Sequence, residues 1–149
     1  MTKPDYIIQP IMMGGLVKET DGDLVKIHLH GRLGVITVPR KVIRGEIILE
    51  PGHEMQFFFS YFQVTDQPLD YDDTPMTEGE ELIPCLLGGT LIEVNDTAVK
   101  LEIMDHLGTA AVPRRWVFTD VKLTEGLFAE FYFSGIRIVG KRDIPVEQI

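Results

Sequence analysis

Two basic pairs, Arg40-Lys41 and Arg114-Arg115, each follow a Val-Pro dipeptide in a chain whose formal net charge is -9. Guanidinium groups grip carboxylates or phosphates through paired N–H donors, so these two corners could hold a small anion or a nucleotide. The competing role is local ion pairing with acidic neighbours such as Glu46 and Asp120, which contributes little at a surface. A second set is His28 and His30, two apart on one face of an expected strand, with His53-Glu54 further on. That spacing lets two imidazoles bind one metal. The matched positions later in the chain are Glu102, Met104 and Leu127, so no second metal site is encoded. Solvent-facing histidines are the expectation, with no metal centre and no cofactor.

Covalent catalysis has little to draw on. The single cysteine, Cys85, sits in an apolar run and is matched by Ile11, which predicts a small hydrophobe rather than a nucleophile. Gly14-Gly15 and Gly88-Gly89 are not followed by a lysine or by a helix pattern, as a phosphate-cradling loop would be. The sequence therefore predicts a protein that is not an enzyme. Trp116 follows Arg114-Arg115 where the earlier copy has Val42, which predicts a buried or interface role. Phe58 and Tyr132 fall in the outward phase of their strands, where two bodies or two chains would bury them.

All these residues sit in a duplicated frame. Residues 10–64 recur as residues 84–138 without insertion or deletion. Identical pairs include Gly14/Gly88, Gly15/Gly89, Lys26/Lys100, Gly34/Gly108, Val38/Val112, Pro39/Pro113, Arg40/Arg114, Phe57/Phe131, Phe59/Phe133 and Ser60/Ser134. The unit is longer than a solenoid repeat, so each copy reads as a small domain. A domain that size buries only about 60% of its unfolded surface, which gives the copies reason to pack together or to dimerise.

Strand signals dominate. Val25, Ile27 and Leu29 alternate with polar residues, and Val99, Leu101 and Ile103 repeat the phase. Asp21-Gly22 and Asn95-Asp96 suit tight hairpin turns after Gly15–Glu19 and Gly89–Glu93. Val35–Val38 and Thr109–Val112 end at prolines, and the Val-Pro-Arg corners read as single helical turns. Further strands are expected at 46–50 and 120–124, then at 55–64 and 129–138. Phe57 and Phe59 are out of phase with Phe62 and Val64, so a bulge is expected at Ser60-Tyr61, and likewise at Ser134-Gly135. The expected fold is all-β: two tandem, pseudo-symmetric five-stranded small barrels, copy one over 1–64 and copy two over 82–149. Residues 65–81, rich in Asp and Glu with two prolines, form an acidic linker that is mobile or drapes over a barrel surface.

The acidic balance argues against nucleic-acid or anionic-membrane partners, which require clustered Lys and Arg. No stretch approaches the ~18 apolar residues of a spanning helix, and Met1–Asp5 leads into no apolar leader region. One cysteine excludes an intramolecular disulfide, and a cytoplasmic, reducing setting is the expectation.

The runs Gly34–Ile43 and Gly108–Val117 resemble the strand, tight turn and strand that close SH3-like barrels, without the ligand-binding aromatics of true SH3 domains. Pro39, Leu49, Gly52 and Phe57, then Pro113, Leu123, Gly126 and Phe131, resemble the split-barrel domain that precedes PilZ domains. Arg40 and Arg44 are similar to part of the cyclic-dinucleotide motif of PilZ itself. Its Asp/Asn-x-Ser-x-x-Gly companion is absent, and copy two has Phe118 in place of Arg44. The whole chain resembles small, uncharacterised bacterial proteins built from this duplicated unit, with Met-Gly-Gly and Gly-Arg-Leu-Gly as local signatures. The resulting expectation is a non-catalytic binding or assembly module of a bacterial cytosol, with a protein partner or self-association. The alternatives are a small-anion or nucleotide sensor at the Val-Pro-Arg corners and a nucleic-acid-binding small barrel.

Overall fold

A computed structural model describes residues 8–149, so the reading of Met1–Asp5 lies outside the described residues. Copy one supplies β1 (Ile11–Asp21), β2 (Leu24–Leu29), β3 (Val35–Pro39), β4 (His53–Phe59) and β5 (Phe62–Val64). Copy two supplies β6 (Cys85–Val94), β7 (Ala98–Ile103), β8 (Thr109–Pro113), β9 (Val117–Phe118), β10 (Phe128–Phe133) and β11 (Arg137–Lys141). The all-β class is as expected. The β1–β2 and β6–β7 hairpins also form at the expected turns, with Gly22 at φ +61° and the Asn95 side chain accepting from the amides of Thr97 and Ala98. Arg40–Val42 and Arg114–Trp116 are single 3-10 turns.

Two separately closed barrels are not what the pairing shows. Among the described residues all eleven strands belong to one sheet, and its ladders run β1-β2-β3-β8-β7-β6-β10-β4 and back to β1. The cause lies at the expected irregularity. After Phe59 the chain leaves its own copy, and β5 pairs with β10, while β11 pairs with β4. Each copy thus completes its sheet with the last strand of the other. Two of the ladders that join the copies place residues opposite their own counterparts, Ile36 opposite Ala110 and Phe59 opposite Phe133. An approximate two-fold axis therefore passes through both junctions.

One apolar core serves both copies. Phe57, Phe59, Phe62, Phe131 and Phe133 are all fully buried, and the Phe59 and Phe133 rings meet edge to face with centroids 5.7 Å apart. Burying each such ring contributes up to about 3 kcal/mol.

The strands expected at 46–50 and 120–124 do not form. In copy one the Arg40 guanidinium takes the carbonyls of Ile43, Gly45 and Ile47, folding that segment into a loop whose tip, Ile48, is 86% exposed. In copy two the Thr119 hydroxyl accepts from the Val121 amide and donates to the Val121 carbonyl, a local turn that competes with a ladder. The linker drapes rather than dangles. Tyr71 stacks on Phe128 and donates to the buried Glu130 carboxylate at 2.7 Å, and Met76 is fully buried. Among the described residues, no helix is long and apolar enough to cross a membrane.

The β3–β8 junction depends on two glycines. Gly34 at φ +122° and Gly108 at φ +103° lie so close to the facing strand that a Cβ would fall 1.9 Å from the carbonyl oxygens of Ala111 and Thr37, respectively. Backbone cannot yield as a side chain can. Gly34→Ala and Gly108→Ala are each expected to cost on the order of 3 kcal/mol or more. Gly22→Asn, at a left-handed turn with nothing within 4 Å, should be nearly neutral. Urea denaturation of the three variants measures the difference.

Candidate functional site

The Val-Pro-Arg corners are placed by their hairpins: the Arg40 amide donates to Asp23 O, and the Arg114 amide to Thr97 O. From there the side chains turn back on the protein. Arg40 grips its own loop through three carbonyls, and Arg114 donates to the Asn95 carbonyl at 2.8 Å. Lys41 and Arg115 are exposed at the turns. The corners do not share a cleft. β3 and β8 run in opposite directions from the Ile36–Ala110 pair, each reaching its proline three residues later, which sets the corners about 20 Å apart.

Arg44 does something different. Its guanidinium donates to the carbonyls of Met76 (2.8 Å), Pro75 (2.9 Å) and Glu78 (3.1 Å), clasping the linker against copy one. Sequence reasoning placed Arg44 only in a nucleotide-motif likeness. Carbonyl partners are supplied by the path of the linker, which no local pattern discloses.

The histidines do not converge. His30 lies 3.9 Å from Glu54, while His53 Nδ1 accepts from the Glu50 amide at 2.9 Å. His28 is half-buried, and burial, then Lys26 and Lys18, lowers its pKa. No group of three metal-ligating side chains occurs among the described residues. Trp116 is buried and stacks on Tyr61 at 4.2 Å, and Tyr61 in turn stacks on Phe118. Phe58 and Tyr132 are half-buried on either side of the two-fold. Burial pushes the Cys85 thiol up to about 11, with Asp73 and Asp72 adding to the effect.

A shallow concavity lies elsewhere, on the outer face of β2, β3, β8 and β7, across the junction. It is open to solvent, measures about 400 Å³ and is lined by Lys26, Val35, Thr37, Thr109, Ala111 and Lys100, with Glu19, Asp21 and Leu24 at one end. Register explains the grouping. Lys26 lies opposite Thr37 and Thr37 opposite Thr109, while Lys100 lies opposite Ala111 and Ala111 opposite Val35. Lys26 and Lys100 are half-buried, whereas Glu19 and Asp21 are exposed at the rim. Glu19 reaches Lys26 at 3.8 Å, and Lys100 has no ion pair within 4 Å among the described residues. The sequence held a signal for this site: Lys26/Lys100 is an identical pair in the outward phase of a strand. Only the β3–β8 junction brings the two members to one groove.

Arg44→Met should release the linker, costing about 2 kcal/mol, and should accelerate amide hydrogen exchange over residues 74–78. Arg114→Met, which loses a single exposed bond, should cost less than about 1 kcal/mol. The raised pKa of Cys85 keeps it a thiol at pH 8, so native protein should react with iodoacetamide far more slowly than urea-unfolded protein. Mass spectrometry of the alkylated fraction measures that ratio. In comparisons with known proteins, no family model, no curated protein and no solved structure matches the chain.

Proposed function

We propose that this chain is a non-catalytic binding module of the cytoplasm, in which the two copies act as one body and the groove across the β3–β8 junction receives the ligand. The observation that carries this reading is the groove itself. It gathers side chains from both copies at the approximate two-fold axis; among the described residues Lys100 has no ion pair, the Thr37 and Thr109 hydroxyls make no hydrogen bond, and Lys26 meets only the rim carboxylate of Glu19 at 3.8 Å. The corner arginines, by contrast, hold loops. The cytoplasmic setting is supported by the single, protonated, half-buried thiol, which needs no oxidising compartment.

Fragment screening by hydrogen exchange tests the reading. Ligands that stabilise the protein should slow exchange in residues 24–29, 35–39, 98–103 and 109–113. Protection confined to other segments, or a turnover abolished by one side-chain change, would overturn it.

A further inference from the structure

We infer that the groove takes a small organic anion, with a carboxylate or phosphate head held between Lys26 and Lys100 over the Thr37 and Thr109 hydroxyls, and a short aliphatic body lying on Leu24, Val35 and Ala111. This rests on the groove being the binding site and adds the chemical class of its ligand. The inner surface presents donors: two ammonium groups, which can only donate, and two hydroxyls that make no hydrogen bond within the protein among the described residues. The amides beneath are committed to the β2–β3, β3–β8 and β7–β8 ladders, so they add neither donors nor acceptors.

The carboxylates of the site stand outside. Glu19 and Asp21 are on the exposed rim, and Glu19 is already turned to Lys26. A cationic ligand would be held by the rim carboxylates, because further in it faces two lysines. An anion meets two lysines whose side chains lie partly against the sheet, and charge-assisted hydrogen bonds to their ammonium groups are the stronger kind. The floor limits the body of the ligand. Val35, Ala111 and Leu24 offer apolar contact, and about 400 Å³ lies at the lower end of the range for small-molecule sites. A polyanion such as RNA is disfavoured, because one lysine pair in a chain of net charge -9 cannot neutralise a run of phosphates.

The experiment is a proton–nitrogen NMR titration of the full chain with four probes of matched aliphatic body: hexanoate, hexyl phosphate, hexanamide and hexylamine. Hexanoate or hexyl phosphate should shift the amides of Thr37, Lys100 and Thr109 saturably, and the arm that binds identifies the head group. Lys100→Met should weaken that binding roughly tenfold or more, as loss of a charge-assisted bond requires. Thr109→Val should weaken it less, and Lys122→Met, outside the groove, should leave it unchanged. Equal binding of hexanamide or hexylamine at the same amides would overturn the anion assignment while leaving the groove as the site. Shifts confined to Arg40 or Arg114, or no shift in the groove with any probe, would overturn the site as well.

Discussion

The crossing of the two copies turns on a reciprocal pair of hydrogen bonds between buried serines and the opposite strand. Ser134 Oγ accepts from the Phe58 amide at 2.8 Å and donates to the Gly135 carbonyl, while Ser60 Oγ accepts from the Tyr132 amide at 2.7 Å and donates to the Tyr61 carbonyl. Both serines are fully buried. At these points β4 and β10 stop pairing with one another after a single residue pair, so two amides would be left without partners in the core, at about 1–3 kcal/mol each. The hydroxyls satisfy them and let the chain turn outward into β5 and β11. Strand exchange, the shared phenylalanine cluster and the closed circuit of ladders all follow from that turn.

Symmetry set up in this way is broken where the chain has only one linker to accommodate. Arg44 lies against Gly135, where a Cβ would come within 2.5 Å of the guanidinium carbon. The matched pair across the axis is Phe118 against Tyr61, stacked at 5.2 Å. A guanidinium needs the small residue, and an aromatic ring needs the ring. Each partner is explained by the other, and each belongs to the opposite copy. Val42 and Trp116 follow the same logic: the indole extends the Tyr61–Phe118 stack, whereas beside Val42 the arginine instead secures the linker through three of its carbonyls.

Much of the fold was legible because alternation reports which face a residue occupies. Val25, Ile27 and Leu29 are buried as their phase requires, and the phase break at Ser60 marked the true end of β4. Alternation does not report which strand lies alongside, since a strand whose inner face is buried reads the same whether its neighbour comes from its own copy or the other. For that reason the duplication suggested two closed units where the chain forms one sheet. The 46–50 segment misled for a related reason. Ile47 and Ile48 carry strand propensity, but Arg40 draws the carbonyls of Gly45 and Ile47 back on its own turn, away from any neighbouring strand. The basic corners were visible as residues and opaque as roles, because a guanidinium that binds carbonyls is spelled the same way as one that binds an anion.

The position of the groove follows from how the axis closes. Gly34 and Gly108 allow β3 and β8 to approach, and the pairing there spans only three residue pairs, with Val35, Thr37, Thr109 and Ala111 facing outward. These side chains are too short to fill the space between Lys26 and Lys100. A strictly symmetric duplicate would offer equivalent halves to any ligand. Divergence has made them unequal: Asp21 and Leu24 at one end are matched by Asn95 and Ala98 at the other, where the concavity is only about 110 Å³. Val35 faces Ala111 while Thr37 faces Thr109, so the apolar floor and the hydroxyls lie on opposite sides of the axis. Two copies of one strand pattern thereby form a single groove with a defined direction, which an isolated copy has no means to build.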